Sequence, residues 1–218
     1  MSMNPQLPEI VRIRVRYGKE ASLRFIGHLD LQRLWGRLLR RSALPVRYTK
    51  GFHPRARLNL ASALPLGFVS DEELLDFWMD APRPLAEVQA KLKKASPPGL
   101  EIYSVQQIDN REDALQMQVK ASEFEVSFYD PQNTLELSLK IGALMDKPGI
   151  IKIRRKKTYD LRPLILDLQV VTPLIGNLGI WMRLKAEPRA TGRPDDVLEE
   201  LGYPNTAYLV RRTKLILN

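Results

Sequence analysis

The pattern that decides the fold lies in residues 24–67, RFIGHLDLQRLWGRLLRRSALPVRYTKGFHPRARLNLASALPLG. Apolar side chains recur there at positions i, i+3, i+4 and i+7, which predicts a helix over residues 28–42 with one buried face. Pro45 is expected to stop that helix. Residues 55–60 then alternate with period two, which is typical of a strand. The stretch therefore predicts a basic amphipathic helix followed by an extended return.

The sequence around this stretch extends the prediction to a whole domain. Residues 9–17, EIVRIRVRY, alternate strictly between apolar and polar side chains, which is the pattern of a strand. After the stretch, the patterns predict a strand over 71–80, a helix over 84–95 and a strand over 100–108. The resulting order of strands and helices is the βαββαβ order of a ferredoxin-like domain.

The second half of the chain repeats this order without repeating the residues. Strand patterns begin again at residue 121, and the last one covers 207–217. Residues 133–145 fit a helix capped at its start, but their leucines also alternate as in a strand. We therefore predict an α+β protein of two tandem ferredoxin-like (βαββαβ) domains with antiparallel sheets. The predicted domains are residues 1–110 and 117–218, with a polar boundary between them.

Positive charge is concentrated in the first quarter of the chain. The formal net charge is +9, and thirteen Lys and Arg residues face only two acidic residues between Ile10 and Arg57. Most of the thirteen are arginines, whose planar guanidinium groups suit phosphate contacts and base stacking. A block with one sign of charge indicates a polyanionic partner, although a merely solvated surface gives the same composition.

The spacing of the arginines defines two candidate surfaces for nucleic acid. Alternating positions on the strands place one set on a common sheet face, and helical spacing places the other set on a common helix face. The candidate nucleic-acid-binding residues are Arg12, Arg14, Arg16, Arg33, Arg37, Arg40, Arg41, Arg55 and Arg57. The alternative for the strand arginines is internal pairing with the acidic residues of the 71–80 strand. Two further basic clusters, residues 152–157 and 211–214, are weaker indications of the same kind.

His28 and His53 are the two histidines of the chain, and each lies in a turn-like segment. A histidine titrates near neutral pH and can carry protons in RNA cleavage, so both are candidate catalytic residues if the protein is a nuclease. A metal site needs three or more ligands, and the sequence offers no convincing third beside His28 and Asp30. We therefore expect structural histidines and no metal site.

Several functional classes are disfavoured by composition. The chain has no cysteine, so it cannot ligate an iron–sulfur cluster through thiolates, and we expect no cofactor. The phosphate-binding loops, nucleophile elbow and zinc-protease motif of common enzymes are absent from the sequence. There is no apolar run long enough to cross a bilayer and no basic and apolar signal region, so we expect a cytoplasmic protein without a membrane partner.

The segments GHLD, GFHP and ALPLG together make the chain resemble the radical-SAM-linked domain family. Weaker similarity extends to YDLRP at residues 159–163 and to RPDDVLEELG at residues 193–202. Members of that family, a domain of unknown function, are found beside or fused to radical-SAM proteins. The resemblance therefore implies a radical-SAM protein encoded nearby as a partner. It implies no activity and no catalytic residues.

Three hypotheses about function follow from these observations. The first is a non-catalytic RNA-binding accessory protein that presents RNA to a partner radical-SAM modification enzyme. The second is a metal-independent endoribonuclease, because tandem ferredoxin-like domains with a basic cleft resemble the repeat-processing enzymes of CRISPR systems. The third is a protein–protein adaptor whose basic face meets an acidic partner.

Overall fold

The computed structural model describes residues 10–154, 156–173, 178–204 and 207–218. The chain divides into two units. Unit 1 comprises Met1–Leu66 and Glu72–Gln118, and unit 2 comprises Gly67–Asp71 and Val119–Asn218. None of the helices among the described residues is both long enough and apolar enough to cross a membrane.

Besides a short 3-10 helix, Ala21–Phe25, the described part of unit 1 contains four strands and three α-helices. They are β1 Val11–Lys19, α1 His28–Arg41, β2 Leu58–Leu60, β3 Val69–Met79, α2 Leu85–Ala95, β4 Leu100–Ile108 and α3 Leu115–Gln118. The part of β3 from Glu72 onward belongs to this unit. The strands are hydrogen-bonded in the order β2-β3-β1-β4, and the β2–β3 and β1–β4 pairs are antiparallel.

Helix α1 forms where the periodicity of its sequence predicts it. Its buried side chains are Leu31, Leu34, Trp35, Leu38 and Leu39, which lie on one face. The Trp35 ring meets the Tyr17 ring of β1 edge to face, with centroids 4.9 Å apart. Burial of such large apolar surfaces, about 25 cal/mol per Å², fixes α1 against the sheet. Its opposite, polar face is thereby left to solvent.

Unit 2 repeats the alternation of strands and helices. Its elements are β5 Val119–Phe128, α4 Thr134–Met145, β6 Ile151–Arg154, β7 Lys157–Asp160, β8 Ile165–Val171, β9 Gly179–Glu187, β10 Ala190–Thr191, α5 Pro194–Glu200 and β11 Tyr208–Leu217. The main sheet runs β10-β9-β5-β11, and β8 also pairs with β9. Residues 69 and 70 pair in parallel with Arg211 and Arg212 of β11.

The structure confirms the predicted mixed α+β class, with a large and mostly antiparallel sheet. It also decides the ambiguous segment near residue 135 in favour of a helix. The side chain of Asn133 accepts a hydrogen bond from the Glu136 backbone N–H at 3.0 Å, which caps the start of α4. Of the predicted strand over 9–17, residue 9 lies outside the described residues.

Candidate nucleic-acid interface

The polar face of α1 and the returning segment 54–58 form the two sides of a groove with a volume of about 480 Å³. Four arginines contribute to its walls, and no carboxylate does so among the residues that the structure describes there. The lining side chains from α1 are Leu29, Gln32, Arg33, Arg37 and Arg40, together with Gly36, and those from the return are Pro54, Arg55, Ala56 and Leu58. We call this feature the arginine groove.

The chain returns alongside α1 through a tight loop between residues 48 and 56. Tyr48 and Ala56 form an antiparallel bridge, and the Thr49 N–H donates to the Arg55 carbonyl at 2.8 Å. The Arg55 N–H in turn donates to the Thr49 hydroxyl at 3.1 Å. Gly51 lies at the tip with φ of 130°, a backbone conformation that other residues rarely adopt. This loop places Arg55 across the groove from α1.

The arginines of the groove are exposed and largely uncompensated. Arg33 pairs with Asp30 at 2.9 Å, three residues earlier on the same helix. For Arg37, Arg40 and Arg55, the described part of the chain supplies no carboxylate within ion-pair distance. Like charges held close together repel one another, so their proximity costs stability unless an anion binds. The groove is therefore a focus of positive potential.

Gly36 lies in the interior of α1 and lines the same groove. A glycine inside a helix costs roughly 0.5–1 kcal/mol relative to alanine. No atom lies within 4 Å of the position that a Cβ at Gly36 would occupy, so internal packing does not require the glycine. A side chain at position 36 would instead fill open space in the arginine groove.

Arg12 and Arg14 of β1 do not belong to an open surface. Both are buried, with 2% and 5% exposure, against the fully buried carboxylate of Asp76 on β3. The Arg12 Nε donates to Asp76 at 2.9 Å, and the Arg14 Nε donates to it at 2.8 Å. Arg12 also donates to the carbonyls of Glu112 and Asp113, each at 2.8 Å. Arg12 and Arg14 are therefore paired internally, which is the alternative that the sequence left open. The prediction that they lie on an open basic sheet face is wrong for both.

Three other candidate arginines lie away from the groove lining. The Arg16 guanidinium is within 3.6 Å of Glu72 and lies over the Tyr103 ring. Arg41 donates to the carbonyl of Ala95, the last residue of α2, at 2.8 Å. Arg57 stacks over the ring of Trp78, 4.3 Å from its centroid. Of the nine candidates, the structure thus brings together Arg33, Arg37, Arg40 and Arg55.

The two histidines occupy different surroundings. His28, in the first turn of α1, lines a second and smaller pocket of about 300 Å³ with polar side chains such as Asn59 and Gln116. His53 is exposed in the loop before Pro54. Among the described residues there is no group of three or more His, Asp or Glu side chains that could hold a metal ion.

The basic clusters of unit 2 are more strongly neutralised. Lys152 donates to Glu199 at 2.6 Å and to Glu200 at 3.1 Å. Burial lowers the pKa of Lys152, but these two carboxylates outweigh burial and raise the pKa above its ordinary value. Arg211 pairs with Asp71, and Arg212 is almost fully buried. Arg155, also in the 152–157 cluster, lies outside the described residues.

Unit 2 also contains a basic groove, of about 770 Å³, but carboxylates accompany its cations. The basic lining residues are Arg154, Lys157, Arg189 and Arg193. Asp160 lines the same groove, Arg193 pairs with Asp195 at 3.1 Å, and Arg154 lies 4.0 Å from Asp196. The arginine groove of unit 1 therefore offers more uncompensated charge.

Sequence reasoning did not single out Gln32, Gly36, Asn59 or Gln116, although all four line the two unit 1 pockets. Gly36 carries a detectable signal, because a glycine interrupts an otherwise strong helix pattern. Gln116 lies in the segment that the sequence predicts to be a polar domain boundary. In the structure it belongs to α3, within unit 1.

Solved structures similar to this chain include a Cbf5–Nop10–Gar1 complex, with a TM-score of 0.51, 7% sequence identity, and coverage of 93% of this chain and 48% of the matched chain. They also include an H/ACA ribonucleoprotein bound to a substrate RNA containing 2′-deoxyuridine, with a TM-score of 0.43, 9% identity, and coverage of 94% and 47%. The chain thus spans about half the length of the two chains that it matches, and at such identity the first match shows only a similar fold.

Comparison with curated proteins finds no matching relative. The profile of one family matches residues 12–194, which is most of the chain and includes α1, the return and the groove between them. The protein therefore belongs to the family described as "Uncharacterized protein conserved in bacteria (DUF2344)".

Proposed function

We propose that this protein is a non-catalytic RNA-binding accessory protein, and that the arginine groove holds the sugar–phosphate backbone of a single-stranded segment. One observation carries the proposal: four arginines from two separate segments line one groove, and three of them have no carboxylate partner among the described residues. Guanidinium groups bind phosphate oxygens in bidentate geometry. An anion with regularly spaced charges fits such a row better than a single small ion does.

Exposed aromatic residues that are close in sequence to the groove residues favour RNA over an acidic protein as the partner. Phe25 precedes α1, and Tyr48 and Phe52 belong to the loop that carries Arg55. All three are exposed, and the Arg24 guanidinium lies 4.6 Å from the centroid of the Phe25 ring. Aromatic side chains that are exposed on a basic protein can stack on unpaired bases.

The proposal includes a fold assignment for each unit. We propose that both units are ferredoxin-like domains that correspond to the predicted domains 1–110 and 117–218, with α3 added to the first. The order βαββαβ and the strand order β2-β3-β1-β4 support this for unit 1. In unit 2 the corresponding strands are β5, β8, β9 and β11, and they are arranged in the order β8-β9-β5-β11. A hairpin of β6 and β7 is inserted between α4 and β8. The proposed radical-SAM partner and the RNA modification that it would carry out rest on the sequence resemblance alone.

Crosslinking in cells tests where RNA binds. After ultraviolet irradiation and digestion of the RNA, we expect nucleotide adducts on peptides from α1 and the 48–58 loop. Adducts confined to the 152–160 hairpin would instead place RNA at the basic groove of unit 2. If no RNA is recovered with the protein, the adaptor hypothesis becomes the better explanation of the exposed charge.

His28 beside a polar pocket is the observation that favours the alternative, a metal-independent endoribonuclease. If the chain cleaves RNA, loss of the histidine that carries the proton should slow cleavage by roughly 10²–10⁴-fold. We expect the wild-type protein to leave single-stranded and hairpin RNA intact. Cleavage that is lost in His28→Ala or in His53→Ala, with RNA binding retained, would show that the protein is an enzyme.

A further inference from the structure

The small pocket that His28 lines adjoins the arginine groove. Gln32 of α1 and Leu58 of β2 line both cavities. The pocket therefore lies next to the place where a strand held by the groove would pass. Its volume of about 300 Å³ is at the lower end for small-molecule sites, which suits one planar group better than a chain.

The chemistry of the pocket combines amide edges with an apolar wall. Gln32, Asn59 and Gln116 contribute three side-chain amides, and Ser62 contributes a hydroxyl. Within the described chain these four side chains make no hydrogen bonds to other protein groups, so the fold does not use them. Leu58, Leu60 and Ala61 supply the apolar contact.

We infer that this pocket binds one unpaired nucleobase of the RNA held in the arginine groove. A side-chain amide presents a donor and an acceptor side by side, which pairs with the donor and acceptor on a base edge. The flat faces of the base would lie against the apolar wall. The inference rests on the proposed function, because the groove must first hold the backbone.

The test compares binding of two oligoribonucleotides of equal length, one intact and one with abasic riboses, measured by fluorescence anisotropy on the full chain. We expect the abasic strand to bind at least about 5-fold more weakly, because one well-made base contact alone contributes about 5- to 150-fold in affinity. The variant Asn59→Ala with Gln116→Ala removes two amides that line the pocket but not the arginine groove, and it removes no charge. We expect it to bind intact RNA more weakly while its affinity for abasic RNA stays unchanged.

The matched control replaces Gln106 and Gln107, two exposed amides on β4, with alanine. We expect the control to keep the wild-type preference for intact RNA. Equal binding of both strands by the wild-type protein, or a preference of unchanged size after loss of Asn59 and Gln116, would overturn the base pocket while leaving the groove in place. Failure of the wild-type protein to bind either strand would instead overturn the proposed function.

Discussion

Replacement of Asp76 with asparagine should lower the free energy of unfolding by about 3–5 kcal/mol. The Asp76 carboxylate is fully buried and accepts hydrogen bonds from both Arg12 and Arg14. Asparagine keeps the shape of the side chain but removes the charge, so two buried guanidinium groups lose their counter-ion. Removing one partner of a buried ion pair is costly because the other charge remains desolvated.

The matched control is Asp80→Asn, which removes the carboxylate that pairs with Arg47 at 2.8 Å. The Asp80 side chain is 48% exposed, so water replaces the lost partner and the change should stay below about 1 kcal/mol. Denaturant unfolding of the two variants beside the wild-type protein gives both values. Equal stabilities for the two variants would contradict a structural role for the strand arginines.

The contrast between α1 and β1 shows what the sequence determines and what it does not. Helical periodicity is a local property, so the spacing of apolar residues was sufficient to predict both α1 and its exposed arginine face. The alternation of apolar and polar residues in β1 is equally clear, but it predicts only that Arg12 and Arg14 share a face of the strand. Whether that face is open depends on Asp76, more than sixty residues away in the sequence.

The groove itself depends on a tertiary arrangement that short-range patterns do not contain. Arg37 and Arg55 are eighteen positions apart, and the loop that joins them decides which arginines face each other. Arg41 illustrates the point, because its spacing places it with the other helix arginines. In the structure, however, it donates to the Ala95 carbonyl of α2.

Replacement of Arg37 and Arg40 with glutamine should weaken RNA binding about 25-fold at 0.1 M salt. Each phosphate neutralised on a single strand contributes about −0.7 to the slope of log affinity against log salt. The two substitutions therefore remove about 1.4 from a slope that the four groove arginines would bring to roughly −3. Neither side chain is buried or paired among the described residues, so the fold should tolerate both changes.

The control for charge is replacement of Lys93 and Lys94 with glutamine, since both are exposed in the last turn of α2 in the same unit. It lowers the net charge by the same amount but leaves the arginine groove intact. General attraction between a basic protein and RNA would be weakened equally in both variants. Specific contact in the groove would be weakened only when Arg37 and Arg40 are lost.

The measurement that tests the groove most directly is the affinity for a labelled single-stranded RNA at several salt concentrations, for the wild-type protein and both double variants. We expect the Arg37 and Arg40 variant to flatten the slope by about 1.4 and the Lys93 and Lys94 variant to leave it near the wild-type value. Equal slopes for all three proteins, or a larger change in the lysine variant, would contradict RNA binding in the arginine groove.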